Sequence, residues 1–353
     1  MNEPGCLDDS SQTQIADTLE DESVPNLVKL ASNSPFIDLD HPVTRYEAIK
    51  LVVLFPLACL RSILLVVVLL ITWGFCRLAV LGHHHKEGNP LNNVRFLVVD
   101  QAVRFGSRAF VFLAGFLWIS VKGKENLRKA KKARSILVFN HISYVDPAML
   151  LTQIRSSGVS KSGVADLPFV GAIAVALQFL FIARKGTLDH VNQYTVRSDP
   201  QTAVMTRSRD TGYPLLALAP EATTKPKECL LKFRKGAFVP GKPVSPILFR
   251  YPCRHFHPGW GSVNTLFHIW RLLSQFVNYV EVEILPPYHP SEEEERDPVL
   301  YAENVRRLMA SKLGIPMVNK DLKEELLFKK YCIQTDLWGR KVVAFGGQKK
   351  KSD

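Results

Sequence analysis

The chain has 353 residues, of which 46% are apolar and 22% charged, a balance that excludes a wholly disordered protein and suits one large domain or two modest ones. The formal net charge is +12, but residues 1–25 hold seven acids and no Lys or Arg, so the rest carries +19. That excess fits a partner with phosphates, such as a nucleotide or an anionic lipid surface. Six cysteines, none in a CxxC spacing, indicate neither a disulfide framework nor a zinc site, and a reducing, cytosol-facing body is expected.

Residues 1–40 read as an acidic, Ser-rich, disordered tail without a signal peptide. Residues 41–121 read as a membrane-associated helical region. Its main feature is Leu51–Leu81, almost wholly apolar apart from Pro56, Arg61 and Arg77 and longer than the roughly 20 residues that span a bilayer core. Two arrangements fit. One is a single spanning helix from Ser62 to Leu81. The other is a hairpin that enters one leaflet and returns, with Pro56 and Arg61 near its bend, which spares an arginine the bilayer centre. A second apolar stretch, Ala109–Val121, is too short to span. Lys122–Arg134 follows with seven basic residues and one acid, as expected on the cytoplasmic side of a membrane segment.

From Ser135 the pattern becomes α/β. Strands are expected at Ser135–Asn140, Gln178–Arg184, Leu215–Pro220, Val244–Tyr251 and Tyr279–Leu285, with helices between, such as Pro147–Ile154 and Ala302–Lys312. This alternation predicts a mostly parallel central sheet flanked by helices over residues 122–315, followed by a C-terminal tail at 316–353. Ser291–Arg296 reads as a charged, solvated turn. The basic excess lacks any nucleic-acid recognition motif and its aromatics do not interleave with the basic runs, so nucleic acid is not an expected partner. Nothing in the sequence fixes an oligomeric state.

The strongest local signal is Asn140-His141-Ile142-Ser143-Tyr144-Val145-Asp146. A strand is expected to end at Asn140, and Asp146-Pro147 reads as a helix start with Asp as N-cap. His141 and Asp146 then share the short loop at the carboxyl end of a strand, where open α/β sheets bind ligands. A carboxylate folded back onto one ring nitrogen leaves the other as a general base. Taken singly, Asp146 also reads as a cap and His141 as a structural histidine.

The segment resembles the glycerolipid acyltransferase family, whose first motif is NHxxxxD, matched by Asn140, His141 and Asp146. The later motifs follow in order: an apolar run ending in Arg184, Pro220-Glu221-Ala222-Thr223-Thr224 for Pro-Glu-Gly-Thr, and Val244-Ser245-Pro246-Ile247-Leu248 for an apolar strand with a central proline. Leu231–Phe238 with Arg250-Tyr251-Pro252 is similar to the branch containing lysophosphatidylcholine and plant-type lysophosphatidylethanolamine acyltransferases. One departure is Ala222 where the family has glycine, which costs stability if that position needs a positive φ.

The resemblance implies transfer of an acyl chain from acyl-CoA, as co-substrate, to a lysophospholipid, with His141 as general base, Asp146 holding its ring and no metal or resident cofactor. Asn140, Arg184, Glu221, Thr223, Thr224 and Pro246 would bind substrate, Arg184 through the acceptor phosphate. The oxyanion would meet backbone N–H groups near the first or fourth motif. Lys225, Lys227, Lys232, Arg234 and Lys235 would face coenzyme A phosphates, anionic lipid or solvent. Lysophosphatidic acid or glycerol 3-phosphate acylation, and a non-catalytic membrane lipid-binding role, remain alternatives. Lys350-Lys351-Ser352-Asp353 resembles a dilysine retrieval signal of endoplasmic reticulum membrane proteins, which implies a cytosolic catalytic domain.

Overall fold

The computed structural model describes residues 24–83, 89–183, 193–196 and 199–344. Four helices come first: α1 (Val24–Ser32), α2 (Arg45–Val53), α3 (Phe55–Ala79) and α4 (Asn93–Leu113). Then follow β1 (Ser120–Lys122), α5 (Asn126–Ala133), β2 (Ile136–Phe139), α6 (Asp146–Gln153), β3 (Ser156–Lys161), α7 (Val170–Ala176), β4 (Leu180–Ile182), α8 (Pro200–Arg209), β5 (Leu215–Leu218), β6 (Val244–Arg250), α9 (Thr265–Leu273) and β7 (Glu281–Ile284). The chain closes with α10 (Glu292–Arg296), α11 (Pro298–Leu313), α12 (Leu322–Lys330) and a hairpin of β8 (Ile333–Thr335) and β9 (Val342–Ala344).

The main sheet has seven strands in the order β1-β7-β6-β2-β5-β3-β4. Strands β2 to β6 run parallel, and β7 is antiparallel to β6 with β1 parallel to β7. The sheet is therefore mostly parallel, as expected, with one reversed edge pair. Both faces of the central strands are buried, which is why they read as unbroken apolar runs. Side chains alternate: Leu137, Phe139, Ile247 and Phe249 enter the core on one face, Ile136, Val138, Val244 and Leu248 that on the other. Pro246 lies in register with Val138, and its carbonyl accepts from the N–H of Leu285 at 2.9 Å. A proline returns no N–H, and the β6·β7 ladder ends there. β3 is not among the strands expected from sequence, because Ser156-Ser157-Gly158 lacks apolar side chains. The strand is buried all the same, with the Ser157 hydroxyl donating to the Gln178 carbonyl at 2.6 Å.

Helices α3 and α4 form an antiparallel pair. Cys76 shares a core with Phe96, Val99 and Val103, and Arg95 donates to the Leu81 carbonyl at 2.8 Å. At the crossing, a Cβ on Gly106 would lie 2.1 Å from Oγ1 of Thr72, so only glycine permits this approach. α3 runs unbroken past Arg61 with Pro56 in its first turn, so the expected bend near those two residues is absent, and α4 supplies the antiparallel partner instead. Arg61 is buried and donates to the carbonyls of Leu273 at 2.8 Å, Phe276 at 3.1 Å and Gln275. Leu273 is the last residue of α9 and the other two follow it, so the guanidinium covers carbonyls at and just past the helix's carboxyl end.

Three other segments are more ordered than their composition suggests. Ser291–Arg296 is a capped helical turn: Ser291 and Glu294 form a reciprocal capping box, and buried Glu294 accepts from the Tyr288 hydroxyl at 2.7 Å. Residues expected to form a tail at each end meet in one core, where Leu27, Ala31, Phe36 and Ile37 pack with Cys229, Leu231, Leu327, Phe328 and Ile333. Residues 24–40 and 318–344 are therefore part of the folded body, sealed by apolar residues too sparse in sequence to register as a pattern.

Candidate active site

Three parallel strands deliver the site. β2 leads into Asn140 and His141, β5 into Glu221, and β6 into Tyr251, all at the carboxyl edge of the sheet. Nδ1 of His141 lies 2.8 Å from Oδ2 of Asp146, and the two side chains are 21% and 0% exposed. The same oxygen accepts the N–H groups of Ile142 at 2.7 Å and Ser143 at 2.9 Å. Its partner Oδ1 accepts the hydroxyl of Tyr251. Every contact uses the carboxylate as acceptor, so Nδ1 of His141 is the donor and Nε2 is left as the basic nitrogen. Val145 occupies the cap position of α6 and Asp146 its first turn, a small shift from the expected N-cap that keeps the carboxylate at the positive helix end.

Tyr251 is fully buried, and burial followed by the neighbouring Asp146 charge pushes its hydroxyl well above the usual tyrosine value. It therefore stays a donor at any ordinary pH. In sequence Tyr251 belongs to a branch pattern and carries no expected role. The signal that could have found it is its place on β6, adjacent to β2.

Glu221 acts on the loops of β2 and β5. Its Oε1 accepts the N–H of His141 at 2.9 Å. Its Oε2 accepts the N–H of Leu231 at 2.8 Å and pairs with Nζ of Lys225 at 2.5 Å. Lys225 is 1% exposed and also reaches the His141 carbonyl at 3.3 Å. It therefore belongs to the site's interior, whereas Lys232, Arg234 and Lys235 are exposed. Asn140 is likewise committed: its amide donates to the Phe249 carbonyl at 2.9 Å and accepts the Phe249 N–H at 2.8 Å, joining the ends of β2 and β6. Thr223 and Thr224 are buried, and the Thr223 hydroxyl donates to Glu325 of α12. Ala222 has φ +61, so the motif position does require the left-handed conformation that glycine adopts freely. Arg184 lies outside the described residues, just past β4. Pro246 is in mid-strand, paired with Val138 well before the His141 level, and serves the sheet.

Around the dyad a second ring of polar contacts fixes the first loop. The N–H of Trp260 donates to the Ile142 carbonyl at 2.8 Å. Tyr144 lies 3.3 Å from Nδ1 of His268, whose Nε2 is 3.0 Å from the Gly259 carbonyl. Burial pushes His268 down to about 4, so it is neutral there. Among the described residues no group of His, Cys, Asp and Glu has the arrangement of a metal site.

The geometry is that of a buried carboxylate orienting a partly exposed histidine at a sheet edge, a base suited to activating a hydroxyl. The Acyltransferase family profile matches residues 118–249, which contain the dyad. Lysophospholipid acyltransferase LPEAT1 of Arabidopsis thaliana is 30% identical over 81% of this chain and 81% of its own length. The chain belongs to the acyltransferase family. Its further relatives carry lysophospholipid acyltransferase names: LPEAT2 of Arabidopsis thaliana is 31% identical over 88% of this chain and 55% of its own length, and LPCAT4 of Homo sapiens 35% over 81% and 54%. The chain spans about half the length of these latter relatives. A solved acyltransferase, the 1-acyl-sn-glycerophosphate acyltransferase PlsC from Thermotoga maritima, aligns with a TM-score of 0.46 at 20% identity, covering 72% of this chain and 98% of that one.

Proposed function

We propose that this enzyme transfers a fatty acyl group from acyl-CoA to the free hydroxyl of a lysophospholipid, of the phosphatidylcholine or phosphatidylethanolamine type. The observation that carries the reading is the His141–Asp146 pair, with one partner sealed and the other open to solvent. Nε2 of His141 takes the proton of the acceptor hydroxyl as its oxygen attacks the thioester carbonyl. Asp146 stabilises the imidazolium that forms. The carbon–sulfur bond then breaks, and the departing thiolate takes the proton from Nε2. The N–H groups of Ile142 and Ser143 are bonded to Asp146, so these two do not serve the oxyanion.

The reaction belongs at a membrane surface. Among the described residues α3 is the helix long and apolar enough to cross one, with a mean hydropathy of 2.4, and its outer face exposes Ile63, Val66, Val67, Leu70, Ile71 and Phe75. It is fastened along its length to the α/β body: Arg61 at α9, the Trp73 ring 5.5 Å from that of Phe169, and Cys76 in the core of α4 and α7. Spanning would drag the catalytic body into the bilayer. We infer that α3 lies in one leaflet with the site on the side to which both helices return.

Acyl transfer from labelled oleoyl-CoA to a panel of lysophospholipids, with membranes carrying wild type or His141→Ala, tests the reading. Transfer by wild type alone supports it, and the preferred acceptor names the headgroup. Transfer from phospholipid donors but not from acyl-CoA would overturn the donor assignment.

A further inference from the structure

A second constellation of nucleophile, base and carboxylate lies outside the site. Sγ of Cys253 is 3.4 Å from Nε2 of His41, and Nδ1 of His41 is 3.1 Å from Oδ2 of Asp38. Cys253 is exposed, while His41 and Asp38 side chains are 25% and 15% exposed. A thiol within reach of an imidazole that is itself oriented by a carboxylate is the general form of an activated nucleophile. The cluster is held from several sides. The His41 ring stacks on His257 at 5.5 Å, and Nη2 of Arg271 donates to the His41 carbonyl at 3.1 Å. Asp336 lines the small cavity beside Asp38, His41 and His257.

We propose that Cys253 is a nucleophilic thiol that accepts a fatty acyl group from an acyl thioester and carries it as an S-acyl cysteine. Cys253 reacts as the thiolate beside a protonated His41, the thiol proton having gone to solvent. Sγ bonds to the thioester carbonyl carbon, the donor's carbon–sulfur bond breaks, and the departing thiolate takes the proton from His41. One thioester replaces another, with no net redox change. The choice of donor rests on the acyl-CoA reading of the first site.

Two observations support the assignment. Hydrogen bonds to Asp38 and then to Cys253 outweigh burial and raise His41 to about 10, and an adjacent imidazolium favours a thiolate. The neighbourhood also suits an attached acyl chain. His255, two residues on, packs its ring 5.0 Å from that of Tyr46, which begins a face of α2 where Tyr46, Ile49, Val52 and Val53 are all exposed. A chain on Cys253 has this apolar surface to lie against. None of Cys253, His41 and Asp38 touches the catalytic dyad, although Tyr251 lies only two residues before Cys253.

The test uses the full protein in membranes, labelled with an alkyne-bearing acyl-CoA. Hydroxylamine-sensitive label is mapped by peptide mass spectrometry in wild type, Cys253→Ser, His41→Gln, Asp38→Asn and His141→Ala, with lysophospholipid acylation measured in parallel. The expected result is label at Cys253 in wild type and His141→Ala, and none on the corresponding peptide of Cys253→Ser, with labelling slowed about tenfold or more in His41→Gln and Asp38→Asn. Iodoacetamide alkylation of Cys253 at neutral pH should slow likewise in those two variants, a readout independent of the donor. Retained lipid acylation certifies the folding of Cys253→Ser, His41→Gln and Asp38→Asn, and a cooperative unfolding transition certifies that of His141→Ala. No label at Cys253 in a wild type that acylates lysophospholipid overturns this proposal alone. Label at Cys253 without lipid acylation overturns the reading of the first site alone. Alkylation equally fast in wild type, His41→Gln and Asp38→Asn removes His41 as the activating group and overturns the proposal.

Discussion

The hydroxyl of Tyr251 donates to Oδ1 of Asp146, the carboxylate oxygen that His141 does not use. Two strands thereby meet at one imidazole–carboxylate pair: β2 brings His141, and β6 brings the group that holds Asp146. Tyr251→Phe leaves Oδ1 buried without its O–H donor. The expected outcome is a loss of about 1–3 kcal/mol in stability and a fall in kcat with KM little changed, read by denaturant unfolding and steady-state assay.

His141→Ala should reduce acyl transfer by roughly 10²–10⁴-fold, the usual worth of a positioned base. Asp146→Asn should cost a comparable factor, because an amide cannot accept from His141, Ile142, Ser143 and Tyr251 in the same way. If either variant, present at normal levels in the membrane, retains more than a third of wild-type kcat, the dyad is not the chemical centre.

Glu221 and Lys225 form a pair that is 0% and 1% exposed. Removing one partner strands a buried charge, so Lys225→Met should destabilise by about 3–5 kcal/mol. Adding Glu221→Gln removes the stranded charge and should restore part of that loss. Thermal or urea unfolding of the single and double variants measures the recovery, and strict additivity would mean that the two side chains do not interact.

Ala222 holds φ +61. Ala222→Gly relieves a strain of about 1–2 kcal/mol, offset by the greater freedom of glycine in the unfolded chain. A net gain of roughly 0.5–1 kcal/mol is expected, visible as a raised unfolding midpoint with activity unchanged or higher.

Acid stability follows from His268. Its folded value of about 4 lies below the ordinary 6.5 because of burial. Between those values the unfolded chain binds more protons, so stability falls as pH drops from about 6.5 to 4, by up to roughly 3 kcal/mol. His257, also lowered to about 4 by burial, acts in the same direction. His41 has the opposite sign: raised to about 10, its contribution is present below 6.5 and lost as pH climbs through 10. Unfolding midpoints across pH 4 to 10 should therefore peak near 6.5, and His268→Gln should flatten the acid limb.

Much of the candidate site was legible because its histidine and carboxylate sit close together in sequence. The strand, His141 and Asp146 lie within eleven positions, and the contacts of Asp146 with His141, Ile142 and Ser143 are local. The five expected strands are apolar runs, and all five occur. What could not be read depends on contacts between distant segments. Glu221 and Thr223 look like ligands in sequence because their partners, the His141 N–H and Glu325, lie 80 and 102 positions away. Asn140 looks like a substrate contact until β6 is laid beside β2. β3 is polar in composition and buried by topology. The folded ends escape notice because each supplies only half of a core.

Arg61 is the one charge between Phe55 and Val68, and the structure spends it on carbonyls at the end of α9. This makes membrane topology a question of timing. As an isolated segment α3 meets the length and hydropathy of a bilayer-crossing helix; only the finished α/β body offers Arg61 its acceptors. Until α9 forms, the Arg61 guanidinium has only water or lipid headgroups to solvate it.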